Sequence, residues 1–216
     1  MSLALPPWFG IWGLNAPGSA RTEPIGLSRR VALLALAALP VACSSPNPTL
    51  YVLAPIASAP QTSASRTGVP RVVALRAIAI PHYLERSQIV RSSEGYKMDV
   101  LSNEWWGEPL DAMMSRILVQ ELNQRLPGSI VYGDSGAIST PSDATVEINL
   151  QRLDLDRDGA VLLTAQIAVG GKATAARGVS FTVRPADGTT QALVAAMSTA
   201  TAQLADAVVV MLLSRA

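Results

Sequence analysis

The single cysteine of this 216-residue chain, Cys43, stands directly after a short apolar run and has no partner for an internal disulfide. A lone thiol in that position is free to take a lipid. Arg29 and Arg30 supply a positive n-region, Val31 to Leu39 an apolar core of Ala and Leu, and small residues lead into the cysteine. Leu39-Pro40-Val41-Ala42-Cys43 has the form of a lipoprotein cleavage site, with Pro40 where that pattern usually carries Leu. The core is too short to cross a bilayer, which takes roughly 20 apolar residues. Cys43 is therefore expected to carry the anchor, palmitate among its chains, each buried methylene contributing about 0.8 kcal/mol. A plain secretory signal or a buried cysteine is the alternative reading. Ser44, not Asp, follows Cys43, which favours the periplasmic face of the outer membrane over retention in the inner one. Ser28-Arg29-Arg30 also touches the twin-arginine pattern, but the Phe or Leu-Lys that should follow is missing.

Three other stretches look chemical and fail on inspection. Gly133-Asp134-Ser135-Gly136 resembles a serine-protease nucleophile loop, and His82 is the only histidine. That chemistry needs a base oriented by a carboxylate, and His82 instead follows Pro81 at a strand end. Asp154-Leu155-Asp156-Arg157-Asp158-Gly159 matches the opening of a calcium loop, yet Leu162 and Ala165 occupy its ninth and twelfth positions. A strand running into an Asp-Gly hairpin explains it better. Gly170-Gly171-Lys172 lacks the Ser or Thr of a phosphate loop. No catalytic set, metal site or cofactor is expected.

Composition narrows the class. Of 17 basic and 16 acidic residues, three and one precede Cys43, leaving 14 and 15 in the mature part. A near-neutral chain argues against nucleic acid, whose binders concentrate positive charge. With no second cysteine, stability must come from packing.

These groups need elements to hold them. Residues 1–27 read as an unstructured N-terminal extension, 28–42 as the signal peptide, 43–70 as a lipidated tether and linker with one short strand, Tyr51-Val52-Leu53, and 71–216 as the folded domain. Val72, Val73, Leu75, Ile78 and Ile80 form a strand that breaks at Pro81. Tyr83 to Arg86 is a turn or a short helical piece, Gln88 to Arg91 a strand, Glu94-Gly95-Tyr96 its hairpin turn and Lys97 to Leu101 the return. From Asn103 the period changes. Pro109 fits a first helical turn, and Leu110, Met113, Met114, Ile117, Leu118 and Leu122 make one stripe, with Glu121 on the polar side, before Leu126-Pro127-Gly128 stops the helix. Ile130 to Tyr132 is a short strand. Val146, Ile148 and Leu150 alternate with polar residues, and the phase slips after Arg152, which predicts a bulge. Ala160 to Val169 and Gly178 to Arg184 close a meander. Gln191 to Leu213 is a long helix whose Gln203 and Asp206 favour packing on a sheet over crossing a membrane. The expected fold is α+β: a two-layer sandwich of a mostly antiparallel sheet of about six strands with two helices, one mid-chain and one C-terminal.

Several motifs then fall in order: Tyr51-x-Leu53, a strand ending in Pro81, Tyr83-Leu84-x-Arg86-x-x-Ile89-Val90, and Trp106-x-Glu108-Pro109-Leu110 at the helix start. Together, after the cleavage site, they resemble the ABC-type transport auxiliary lipoprotein family, which includes paraquat-inducible protein C. The resemblance spans most of residues 49–216. It implies a non-enzymatic auxiliary subunit on the outer membrane, partnered with a mammalian-cell-entry protein and an ABC permease and ATPase, in transport of lipids or hydrophobic solutes. It leaves room for lipid binding by this subunit and for a homo-oligomer. A structural envelope-tethering lipoprotein, or remotely a serine hydrolase using Ser135 and His82, is the alternative. Tyr83, Arg86 and Trp106 are the candidates for partner contact, being of the types enriched at hot spots. They also suit packing: Trp106 with Leu110 at the helix start, and Arg86 as a cap or in a pair with Glu108 or Asp111.

Overall fold

The computed structural model describes residues 47–57, 69–137, 140–171 and 174–214. Cys43, the signal, the N-terminal extension, residues 58–68 of the linker and Lys172 lie outside them. The strands are β1 Thr49–Tyr51, β2 Val72–Leu75, β3 Gln88–Ser92, β4 Asp99–Trp106, β5 Ile130–Gly133, β6 Ala144–Leu155, β7 Val161–Gly170 and β8 Ala175–Val183. The helices are α1 Leu110–Arg125 and α2 Thr190–Leu213, and a single 3-10 turn covers His82–Leu84.

One sheet holds all eight strands, and it is forked. β6 pairs with β7, and β7 with β8, in long antiparallel ladders. The other edge of β6 is shared: β2 takes its beginning, with Val73 opposite Ala144, and β3 its end, with Ser92 opposite Leu155. β5 flanks β2 on one arm, and β4 then β1 flank β3 on the other. The sheet is thus mixed, with eight strands where about six mostly antiparallel ones were expected. β1/β4, β2/β5, β2/β6 and β3/β6 are parallel. Alternation in a sequence marks strands but not the direction of their neighbours, and these parallel pairs join segments far apart in the chain.

Local differences follow from the same pairing. β1 begins and ends two residues earlier than expected. β4 continues past Leu101 to Trp106, where β1 pairs with its last three residues and Gln88 of β3 pairs with Trp105. β2 ends at Leu75, but its continuation still tracks β6, with Ala79 bridging Asn149. The phase slip in β6 is a bulge: Leu150 faces Ala165 and Arg152 faces Thr164, which leaves Gln151 as the extra residue.

Both helices lie on one face. The stripe from Leu110 to Leu122 on α1 is buried, and Pro109, with φ −52°, precedes the first turn. Just past the end of α1, Gly128 takes φ 95°, a conformation that a side chain resists, as the chain turns towards β5. α2 is capped by Thr189, whose hydroxyl accepts from the Ala192 N–H. By length and composition α2 could cross a membrane, yet 67% of its most apolar window is buried in the fold, against β6, β7, β8 and α1. On the far face, Glu147, Asn149 and Gln166 meet solvent, the alternation of a two-layer sandwich.

Candidate functional site

Pro81 ends the β2 continuation and starts the 3-10 turn, where Leu84 N–H donates to the Pro81 carbonyl at 2.9 Å. Arg86 closes that turn on itself, its Nε donating to the Tyr83 carbonyl at 3.0 Å. Glu108 is engaged instead by Arg116. Trp106, at the end of β4, is a core residue at 7% exposure, and its N–H donates to the Ser87 carbonyl at 2.7 Å. The structure therefore brings Tyr83, Arg86 and Trp106 together around one turn at the fork.

Beneath that turn sits a fully buried carboxylate, Asp154. A charge so placed must be saturated with donors. Tyr83 Oη donates to its Oδ2 at 3.0 Å and Ser93 Oγ to the same oxygen at 2.7 Å, while Arg152 Nε donates to Oδ1 at 2.8 Å. The bulge at Gln151 makes this possible, because it shifts the phase so that Leu153 faces the core while Arg152 and Asp154 share the other side. Arg152 also reaches Glu94 at 2.7 Å and the Leu155 carbonyl at 2.8 Å, and Arg157 binds Glu94 at 2.9 Å. Ser92 Oγ adds a bond to the Leu155 carbonyl. This network ties the 3-10 turn, the β3–β4 hairpin and the β6–β7 turn where backbone pairing between β3 and β6 is a single rung. Burial and the adjacent Asp154 charge push the Tyr83 phenol up to about 12, so it serves as a neutral donor. Hydrogen bonds from Arg157 and Arg152 hold Glu94 below the ordinary carboxylate value.

The other chemical-looking residues are accounted for locally. The His82 ring is 97% exposed and pairs with Glu85 at 2.8 Å, and that hydrogen bond raises its pKa. Ser135 lies in the turn after β5, where Gly136 N–H donates to the Gly133 carbonyl. In the calcium-like run, Asp156 Oδ1 accepts from the N–H groups of Asp158 and Ala160, and Gly159 takes φ 72°, so the segment is a hairpin turn. Among the described residues no group of three or more His, Cys, Asp or Glu could hold a metal.

A second polar cluster, illegible in the sequence, fastens the chain's entry. After β1 the segment Val52–Ile56 crosses both helices. Leu53, 2% exposed, donates its N–H to Met113 Sδ at 3.1 Å, Ala54 donates to Ser198 Oγ at 3.1 Å, and Ile56 donates to Glu121 Oε1 at 2.8 Å. Glu121, expected on the polar side of α1, is instead fully buried beside Arg125. Arg125 Nε donates to Asp206 of α2 at 2.7 Å, and its other nitrogens donate to the carbonyls of Glu121 and Ala202. Burial raises the Glu121 carboxyl, opposed by the Ile56 N–H and Arg125. An acid and a base four residues apart read as a solvated surface pair; only the strap and α2 covering them make them interior.

A family model described as "ABC-type transport auxiliary lipoprotein component" matches residues 51–209. No curated protein matches the chain. Among solved structures, the chain is similar to the crystal structure of an uncharacterized protein, with a TM-score of 0.64, 18% identity, and coverage of 77% of this chain and 99% of that one. It is also similar to a protein from Xanthomonas campestris assigned to the family model DUF330, with a TM-score of 0.57, 17% identity, and coverage of 78% and 94%. At these identities the structures speak for the fold.

Proposed function

Because this chain belongs to the family of ABC-type transport auxiliary lipoproteins, we propose that it is a non-enzymatic accessory subunit, lipid-anchored through Cys43 on the periplasmic face of the outer membrane. Its partners are a mammalian-cell-entry protein and an ABC permease and ATPase that move lipids or hydrophobic solutes across the envelope. ATP hydrolysis belongs to those other subunits. The observation that supports this reading is the strap: the segment after β1, Val52–Ile56, is bolted by the N–H groups of Leu53, Ala54 and Ile56 to both helices, as suits a domain that works while held by its N-terminal side. The outer side of the 3-10 turn, with His82 and Glu85 exposed and Arg86 half-buried, is the proposed partner contact, positioned from beneath by Tyr83 and Trp106.

Purification of the full chain from membranes in mild detergent should bring a mammalian-cell-entry protein with it. Its consistent absence, with the lipidated chain intact, would remove the transport assignment. Arg86→Ala should weaken that co-purification without changing the thermal midpoint by more than a few degrees.

A further inference from the structure

We propose that the tip of the β3–β4 hairpin, Tyr96 with Lys97 and Met98, rests in the headgroup layer of the phospholipid membrane that holds the anchor. The proposal rests on the reading of Cys43 as lipidated. Tyr96 is fully exposed and Met98 is 38% exposed, so neither finishes a core. Gly95 and Tyr96 take φ of 65° and 63°, and Lys97 N–H donates back to the Glu94 carbonyl at 3.3 Å. This two-residue turn favours Gly or Asn at both positions. A tyrosine there buries nothing and sits in a backbone region that side chains resist. Folding gains nothing from it.

Sheet direction supplies the occupant. β1 runs parallel to β4, with Thr49 opposite Glu104, and β4 starts at Asp99 next to the tip. The chain therefore enters β1 from the hairpin's end of the sheet. At about 3.3 Å per residue, the tip end of β4 lies roughly 17 Å along the strand from Glu104. Six residue steps separate Cys43 from Thr49, and fully extended they span at most about 20 Å. A bilayer that holds acyl chains on Cys43 is thus within reach of the tip.

The tip's chemistry suits that layer. A tyrosine ring is apolar with a polar end, and a lysine lays its stem along apolar surface while its charge stays in water. The nearest acid, Glu94, is bound by Arg152 and Arg157, and Asp99 by Arg91. Asp156 and Asp158 share this end of the sheet, so contact depends on insertion of the ring more than on net charge.

The test uses the full lipidated chain in vesicles of equal parts phosphatidylethanolamine and phosphatidylglycerol. With Cys43 acylated, Tyr96→Cys offers one free thiol for an environment-sensitive fluorophore. Ile130→Cys, exposed at the opposite end of the sheet, is the reference, and circular dichroism checks both variants. The expected result is blue-shifted emission at position 96, quenched several-fold more by headgroup-region spin-labelled lipid than at position 130. Equal, water-like emission at both sites would overturn the proposal. So would a shift at 96 that appears only when transporter proteins are added, which would make the tip a protein contact. Mass spectrometry of the Cys43 peptide separates the failures: an unacylated peptide and protein that washes off the vesicles would sink the anchor reading itself.

Discussion

At the scale of single residues, Asp154 carries the greatest consequence. Replacing it by Ala leaves the Arg152 guanidinium and two hydroxyls facing a hole, and breaking a buried charged network of this kind costs about 3 kcal/mol. The urea midpoint of Asp154→Ala should fall accordingly, with the slope unchanged. Tyr83→Phe removes one neutral donor and should cost about 1 kcal/mol at neutral pH. The two proteins should also differ in alkali. The Tyr83 pKa is about 12 in the fold against 10.0 ordinarily, so the fold favours the protonated phenol. The stability that Tyr83 contributes is full below pH 10.0 and is lost as pH rises towards about 12. Urea midpoints across that window should drop in the parent and stay flatter in Tyr83→Phe. The motif containing Tyr83 was legible in the sequence; its bond was not, because Tyr83 and Asp154 are 71 residues apart and nothing local links them. Asp154 itself sat in a run that looked like a calcium loop, and only the covering turn reveals its use.

At the scale of elements, the strap and the two helices behave as one unit. Leu53→Ala deletes a side chain that is 2% exposed and should cost about 3 kcal/mol by the cavity it leaves, with faster amide exchange at Ala54 and Ile56. Glu121 gives a pH signature of its own. Its folded pKa is raised above 4.5, so the fold holds that proton more tightly than the unfolded chain does. This contribution is fully present below pH 4.5 and is lost as pH rises through the folded value. Glu121→Gln keeps an acceptor for Ile56 and has no proton to lose. Its stability relative to the parent should therefore climb as pH rises from 4.5, as denaturation at several pH values would show. The bulge in β6 was readable because a two-residue period cannot hide an inserted residue. The length of β4 was not, since its last residues are held extended by pairing with β1 on one side and with the start of β3 on the other, neither of which is local in sequence.

At the scale of the whole molecule, helix number, helix position and the two-layer α+β class followed from periodicity, whereas the fork did not. A parallel neighbour comes from a distant part of the chain, and β2, β3 and β6 meet only after α1 has carried the chain across. The proposed anchoring through Cys43 is also tested on the whole molecule. Cys43→Ser should abolish palmitate incorporation and move the protein from the membrane pellet to the soluble fraction.

The strap also decides how a pull on the anchor would be felt. Force arriving at Thr49 runs along β1, whose rungs to β4 are then sheared together instead of being unzipped one at a time, and passes on to Leu53, Ala54 and Ile56 above the helices. If Cys43 carries the proposed lipid, the tether is the six residue steps from Cys43 to Thr49 and not the whole distance to Arg71, and a domain so held would move when its membrane moves.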